Sequence, residues 1–545
     1  MLLLACIVLA AVVVRLIGVR RGLPYIHEWD EPYVVTYVVG MMQRGDLDPK
    51  AFSYPSLYFY ILLPVVYLCY GYLHLRGEAA SRWAIEVVHP QTPLSHLPPA
   101  LPYWWYINQP AFYLWSRVVT VAFAAATVIL AYRLGRAVQD RATGLLAAAL
   151  LAVAPGFIYY ADTVRVDVPM TFFVCAAIVA GMRILRGGSR RDYAVAGALA
   201  GLAMSTKQAA FVVLIAFVVA HALNSRRRGP ALGEVAVLGG AAAAGFVIGT
   251  PRVLATPRYL IDVWVSEGRA YGGVPTLASL KAGAAQNLLY FIHPMQGGSP
   301  NPEWYVTPHA AFGLIPALAA LLGAGVVTAR QPRVAAYLGG FIVPYFCLMA
   351  AQHNFFLRSM IPLLPFAAVF AAAGAAWVWS TWLSRWWRGS APAGMSATAS
   401  RAATVVAVIG IAVLLAEPAT RALQLAWALR HEEDTRTEAV AWVARHARPG
   451  EVVAFDTDLR WYLPDLWSLP CDVRYATPDR GLSWYQRQGI TIAVVGDRNR
   501  LRDAPAIADI RRPAYLDGGG DEDGNDDAPL VSPRIRIVAI SAAAH

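Results

Sequence analysis

Residues 54–75 read YPSLYFYILLPVVYLCYGYLHL, an uninterrupted apolar run without a Lys, Arg, Asp or Glu, and whether it crosses a bilayer decides the topology of the whole chain. A run of about 20 apolar residues is long enough to span. This one, however, is rich in tyrosine and carries Pro55 and Pro64, a composition suited to the aromatic belt at a membrane surface. Its placement has to be read from its neighbours.

Eleven other apolar stretches lie at about 2–19, 110–132, 143–160, 168–185, 193–205, 208–223, 231–250, 309–329, 334–351, 360–383 and 402–417. Basic residues fall in alternate short loops between them: Arg133, Arg136 and Arg141; Arg183, Arg186, Arg190 and Arg191; Arg226 to Arg228; Arg330 and Arg333; Arg385 and Arg388. Such loops face the cytoplasm. The 110–132 helix therefore starts outside. With 2–19 crossing once, everything from Arg20 to Asn108 is external, and residues 54–75 lie along the surface. Arg20 and Arg21 oppose this mildly, being external cations. The first run lacks a basic leader and a small-residue cleavage site, so it reads as a span and not a removable signal.

The 545 residues are 57% apolar and only 15% charged, against about 25% charged in soluble domains, which excludes an ordinary soluble fold and disorder. The net charge of +11 sits in clusters between spans, so it reads as an orientation signal and not as a nucleic-acid surface. Cys6, Cys69, Cys175, Cys347 and Cys471 form no disulfide framework and no metal-ligand spacing. Beyond residue 430 helical periodicity over 432–448 and short apolar strands at 452–455 and 490–495 predict a small α/β domain. The acidic, glycine-rich loop 517–527 has Asp526 where a calcium loop needs glycine, and reads as solvated. The expected architecture is a polytopic α-helical membrane protein with about eleven transmembrane helices over 1–425, and an extracytoplasmic domain over 426–545.

That parity gathers polar groups on one face: His27-Glu28-Trp29-Asp30-Glu31, Asp162 to Asp167, Thr206-Lys207, His353-Asn354 and Arg358, with Glu267, Arg269, Tyr271, His293 and Glu303 in the external loop 252–309. Asp30 before Glu31-Pro32 fits a helix N-cap. Acids against an apolar span are costly unless used, so Asp30 is also a candidate general base. Asp162 and Asp167 flank Arg165, consistent with a local ion pair, or with a second acid orienting an acceptor or a metal. Lys207 between two apolar runs is either a snorkelling lysine or a cation for an anionic head group. Arg358 could grip a phosphate bidentately. His27, Glu28, Asp30 and Asp167 offer a candidate ligand set for a divalent metal. No other cofactor is indicated. Trp461-Tyr462 and Trp484-Tyr485 read chiefly as core aromatics of the tail, with stacking on sugar as the alternative.

These residues resemble the GT-C glycosyltransferases that use polyprenyl-phosphate-linked sugars, in the branch of protein O-mannosyltransferases and the lipid A aminoarabinose transferase. The matching pieces are Trp29-Asp30-Glu31-Pro32-Tyr33, then Gly45-Asp46 and Phe52 to Tyr58, Arg133-Leu134-Gly135-Arg136, Ala154-Pro155, Arg165-Val166-Asp167-Val168-Pro169, Thr206-Lys207, and Arg358 ahead of Pro362 to Pro365. The resemblance implies a GT-C fold with juxtamembrane helices in the first external loop. It makes Asp30 the catalytic base, Asp167 the second-loop acid and Lys207 the lysine near the lipid phosphate. No Trp-Trp-Asp-Tyr-Gly string occurs, which disfavours oligosaccharide transfer to asparagine.

The expected function is inverting transfer of a single sugar from a polyprenyl-phosphate donor to an extracytoplasmic hydroxyl of a protein, lipid or glycan. Asp30, Glu31 and Asp167 are its catalytic candidates, and Lys207, Arg358 and Arg165 its phosphate ligands. His27, Tyr54, Glu267 and Tyr271 are further substrate contacts. The expected location is the plasma (inner) membrane, in contact with membrane lipid and not with nucleic acid. A transporter or flippase for a lipid-linked or anionic substrate is the alternative, since buried charges also line pathways.

Overall fold

A computed structural model of the chain describes residues 1–24, 30–50, 54–85, 87–88, 106–107, 109–224, 232–270, 276–292, 310–352, 356–383, 396–431, 433–459, 466, 468–496, 499–511 and 534–540. The helices are α1 (Leu2–Gly18), α2 (Asp30–Arg44), α3 (Leu57–Leu75), α4 (Ala111–Val138), α5 (Arg141–Ala152), α6 (Pro155–Tyr159), α7 (Asp167–Leu185), α8 (Arg190–Met204), α9 (Val213–Ala222), α10 (Leu232–Gly249), α11 (Arg252–Ala255), α12 (Arg258–Ala270), α13 (Leu277–Ile292), α14 (Leu314–Arg330), α15 (Pro332–Ala350), α16 (Leu364–Val378), α17 (Ser396–His431), α18 (Thr435–His446) and α19 (Leu482–Arg487). A short antiparallel pair, β1 (Val87–Val88) and β2 (Tyr106–Ile107), follows α3.

Each of the eleven apolar runs contains at least one helix. Among the described residues seven stretches are long and apolar enough to cross a membrane, and Leu57–Leu75 is one of them. Others expected to span are shorter or interrupted. The run 143–160 breaks between α5 and α6 at Ala154, because Pro155 has no N–H to continue the ladder and opens a new helix instead. Close helix contact relies on missing side chains. A Cβ at Gly201 would strike Ala242 O on α10, and one at Gly323 would strike Phe370 O on α16. Small residues at such crossings let backbones approach where the solvent is as apolar as leucine.

The two ends of the bundle are tied together by different contacts. At one end the arginine-bearing loops meet: Gln331 donates to Val138 O at 2.7 Å, and Arg186 donates to Ala137 O. At the other end the N-terminus of α3 is pinned to the ends of α8 and α10, with Leu57 N donating to Ser205 O at 3.0 Å and Ser56 N to Thr250 Oγ1 at 3.2 Å.

From there α3 runs obliquely. Tyr58 Oη lies 2.6 Å from Thr120 Oγ1, while the ring of Tyr72 lies 5.7 Å from that of Trp115. From Tyr58 to Tyr72 α3 advances about 21 Å, while the matching path on α4 covers only about 8 Å, at about 1.5 Å per residue. Helix α3 therefore crosses the end of α4 instead of running beside it. It packs on α2 around a separate core of Val34, Val38, Tyr58, Phe59, Leu62 and Val66.

The tail is the expected α/β unit. Strands β3 (Val452–Asp456), β4 (Asp472–Ala476), β5 (Ile492–Val495), β6 (Ala506–Ile510) and β7 (Ile535–Ala539) form one sheet in the order β4-β3-β5-β7-β6. The first three are mutually parallel and β7 is antiparallel to both its neighbours. Helix α18 covers one face around Val453, Phe455 and Val494, while Tyr485 of α19 is buried against the other. Asp434 caps α18 by accepting from Arg436 N at 2.9 Å.

Candidate active site

The helix ends around α3 carry a chain of five charged side chains drawn from four separate segments. Arg165 Nη1 lies 3.0 Å from Asp30 Oδ2, and Arg358 Nη2 approaches the same oxygen at 3.5 Å. Arg358 Nε then lies 3.8 Å from Asp167 Oδ2, and Lys207 Nζ donates to Asp167 Oδ1 at 3.0 Å. Each position follows from local structure. Asp30 and Asp167 each begin a helix, where an acid is favoured by the helix dipole. Lys207 is extended between α8 and a 3₁₀ turn, Gln208–Val212, and Arg358 sits in a second 3₁₀ turn, Leu357–Leu363.

Exposure separates the members. Asp167 and Lys207 are about 2% exposed, Arg358 11% and Asp30 21%, so Asp30 is the most accessible acid of the chain. Both cations approach Asp30 through Oδ2. Three cations against two carboxylates leave one net positive charge in a largely dehydrated setting, which favours an anion. Arg165 also stacks over Tyr160 at 5.5 Å, and Arg358 over Phe356 at 4.3 Å.

The local ion pair among Asp162, Arg165 and Asp167 is not formed. Arg165 turns to Asp30, Asp167 to Lys207 and Arg358, and Asp162 pairs with Arg21 at 3.3 Å. Burial pushes the Asp162 carboxyl up to about 6, with Arg21 and Arg117 opposing. Arg21 thus has a specific partner.

Glu31 faces away from this chain. It is fully buried, takes 2.8 and 2.6 Å hydrogen bonds from Arg117 and accepts from Val164 N at 2.8 Å. Arg117 also donates to Val19 O and Arg21 O. With its carboxylate held by Arg117 and Val164 N, Glu31 anchors the first turn of the helix that begins at Asp30. Arg117→Met would leave Glu31 charged and uncompensated in the interior. Breaking a buried pair costs about 3–5 kcal/mol, so a marked drop in thermal stability is expected, detectable by scanning calorimetry or fluorescence in detergent.

Arg117 lies inside an apolar run and outside the expected site, although a lone arginine seven residues into a span is itself a signal. The same holds for Arg15, which caps α5 by donating to Ala152 O at 3.0 Å and Leu151 O at 3.4 Å.

Tyr54 lies near the site: its carbonyl accepts from Tyr259 Oη at 2.7 Å and its ring packs edge-on to Tyr33, one turn beyond Asp30. His27, Glu28, Tyr271, His353, His293, Glu303, Trp461, Tyr462 and loop 517–527, with the side chains of Glu267 and Arg269, lie outside the described residues. Among the described residues no group of three His, Cys, Asp or Glu could hold a metal ion. Asp30 and Asp167, the described members of the expected ligand set, are already flanked by three side-chain cations, which repel a dication. The described residues do not fit a divalent metal.

Residues 114–253, which include Arg165, Asp167 and Lys207, match the family model of dolichyl-phosphate-mannose-protein mannosyltransferases. No curated protein sequence matches the chain. Among solved structures, ArnT from Cupriavidus metallidurans bound to undecaprenyl phosphate is 13% identical, with 99% of this chain and 98% of that one covered at a TM-score of 0.52. The oligosaccharyltransferase AglB from Archaeoglobus fulgidus, in complex with an inhibitory peptide and a dolichol-phosphate, is also 13% identical, covering 90% of this chain and 69% of its own at a TM-score of 0.46. The resemblance to GT-C glycosyltransferases read from the motifs therefore holds, in the family match over 114–253 and in the ArnT-like fold over nearly the whole chain.

Proposed function

We propose that this GT-C-like membrane protein transfers a single sugar, with inversion, from a polyprenyl-phosphate donor to an acceptor hydroxyl outside the cytoplasm. The observation that carries the reading is the five-membered chain Arg165–Asp30–Arg358–Asp167–Lys207, a net cation beside one accessible carboxylate at the end of an apolar bundle. A lipid-linked phosphodiester is an apolar tail with one negative charge. The chain offers a place for each part.

The reaction moves charge across that cluster. Asp30 takes the proton of the acceptor hydroxyl as its oxygen bonds the anomeric carbon, and the bond from that carbon to the phosphate oxygen breaks on the opposite face. The electron pair leaves on the phosphate, which becomes a monoester dianion while Asp30 becomes neutral. One unit of negative charge has passed from Asp30 to the lipid phosphate. Arg358, within reach of both Asp30 and Asp167, is the cation able to follow it, and Lys207 and Arg165 neutralise the leaving group from either end. Preorganised cations of this kind in a dry site are worth a few kcal/mol each. Phosphate leaves readily, so no general acid is required. Asp167 holds Lys207 and Arg358 in position, and Glu31 fixes the first turn of α2.

The anomeric configuration of the product tests the stereochemistry. Nuclear magnetic resonance of the glycosylated acceptor should show the configuration opposite to that of the donor; a retained configuration would refute single displacement by way of Asp30.

A further inference from the structure

Helix α12 leaves an apolar face exposed, and its residues fall into three sectors. Tyr259 and Val263, one turn apart, are buried against the protein. Arg258 and Asp262, also one turn apart, approach each other at 3.7 Å along one flank. Leu260, Ile261, Trp264 and Val265 make up the third sector. All four are exposed, Ile261 at 63% and Trp264 at 53%. At 3.6 residues per turn they cover about 140° of the helix surface, and neither charge falls inside that arc.

The buried sector fixes where the helix lies. Tyr259 Oη donates to Tyr54 O at 2.7 Å and lies 3.5 Å from Ser56 Oγ, while Arg252 of α11 pairs with Asp48. These contacts set α12 beside the start of α3, at the end of the bundle that holds the ionic chain.

The exposed sector continues a second apolar surface. The ring of Trp264 lies 5.7 Å from that of Phe211, in the 3₁₀ turn that leads into α9. On α9, Val213, Ala216, Phe217 and Ala220 are buried, and the helix packs on α7 and α15. Ile215 and Val218 occupy its other face and are exposed. Phe211, Ile215 and Val218 recur at i, i+4 and i+7, so they form one stripe down the outer wall of the bundle. Trp264 sits at the head of that stripe, and its neighbours on α12 extend it sideways.

In water, large apolar side chains grouped in this way invite association. At a membrane surface the same arrangement is the stable one, with the apolar sector among acyl chains, the tryptophan at head-group level and the charged flank turned to water. Arg258 has a stem long enough to keep its guanidinium wet from there.

We propose that α12 is an interfacial helix whose partner is the bilayer itself, with Leu260, Ile261, Trp264 and Val265 docked into the leaflet on the side of the ionic chain. Its opposite face anchors the turn before α3, since Tyr259 holds Tyr54, and the Tyr54 ring packs on Tyr33 one turn beyond Asp30. Two tyrosines thus connect the lipid-seated helix to the helix that begins at Asp30. The docking needs no sugar transfer, and its test is independent of the proposed reaction.

Photolabelling of the full-length wild-type protein in phosphatidylcholine nanodiscs provides that test. One probe is a phosphatidylcholine with a diazirine on its acyl chain, the other a water-soluble diazirine, and labelled residues are read by peptide mass spectrometry. The ratio of acyl-chain to aqueous labelling should be severalfold higher at Ile261, Trp264 and Val265 than at Arg258 and Asp262, and should match the ratio at Ile215 and Val218. Labelling of the apolar sector chiefly from water would overturn the docking, by leaving α12 in solvent. Labelling of that sector by neither probe would overturn it as well, by placing protein over the face.

Discussion

Asp30→Asn should lose acceptor-dependent transfer almost completely while still binding the lipid donor. Asparagine keeps the shape of the carboxylate and an oxygen to accept from Arg165 and Arg358, so the local fold has little reason to change. What disappears is the ability to take a proton. General-base catalysis contributes about 10²–10⁴-fold, which is the expected fall in kcat, read as free polyprenyl phosphate released per minute. Affinity for polyprenyl phosphate should hold or improve, because the substitution removes a negative charge that competes with the phosphate for two arginines. Glu31→Gln, one residue along, supplies the contrast: its partner is Arg117, so its effect should fall mainly on stability.

Lys207→Met should damage both stability and donor binding, for one electrostatic reason. Lys207 and Asp167 are an almost fully buried pair at 3.0 Å, with Arg358 3.8 Å from the other oxygen of Asp167. Removing the ammonium leaves a buried carboxylate undercompensated, at about 3–5 kcal/mol. It also changes the net charge of the cluster from positive to neutral, so an anionic head group loses its attraction. Adding Asp167→Asn to Lys207→Met separates the two effects. The double variant removes the stranded charge and returns the cluster to one net positive charge, so it should recover much of the stability and part of the attraction for an anion, while donor affinity stays below that of wild type because the direct contact from Lys207 to the phosphate is still missing. Recovery of full activity in the double variant would mean that Lys207 serves only to neutralise Asp167.

The apolar helices were legible in the sequence because an apolar run of a given length is a one-dimensional signal. The oblique course of α3 across α4 is a matter of packing that no run length carries. Asp30, Arg165, Asp167, Lys207 and Arg358 stood out as charges at the ends of apolar runs, and the structure brings all five into one chain. Their pairing was not legible. Asp162, Arg165 and Asp167 are close enough in sequence to pair with one another, yet a helix start at Asp167 and the short α6 before Asp162 point them at partners on other segments. Glu31 could not be told from Asp30 by position, since adjacent residues at a helix start face different ways. Arg117 was hidden by the apolar run around it.

The most direct measurement of the central claim is the release of free polyprenyl phosphate when purified wild-type protein and Asp30→Asn are incubated side by side with polyprenyl-phosphate sugars and a hydroxyl-bearing acceptor. The account predicts acceptor-dependent release from at least one donor by wild type and essentially none by the variant. No release from any donor by wild type, or equal release by both proteins, would contradict it.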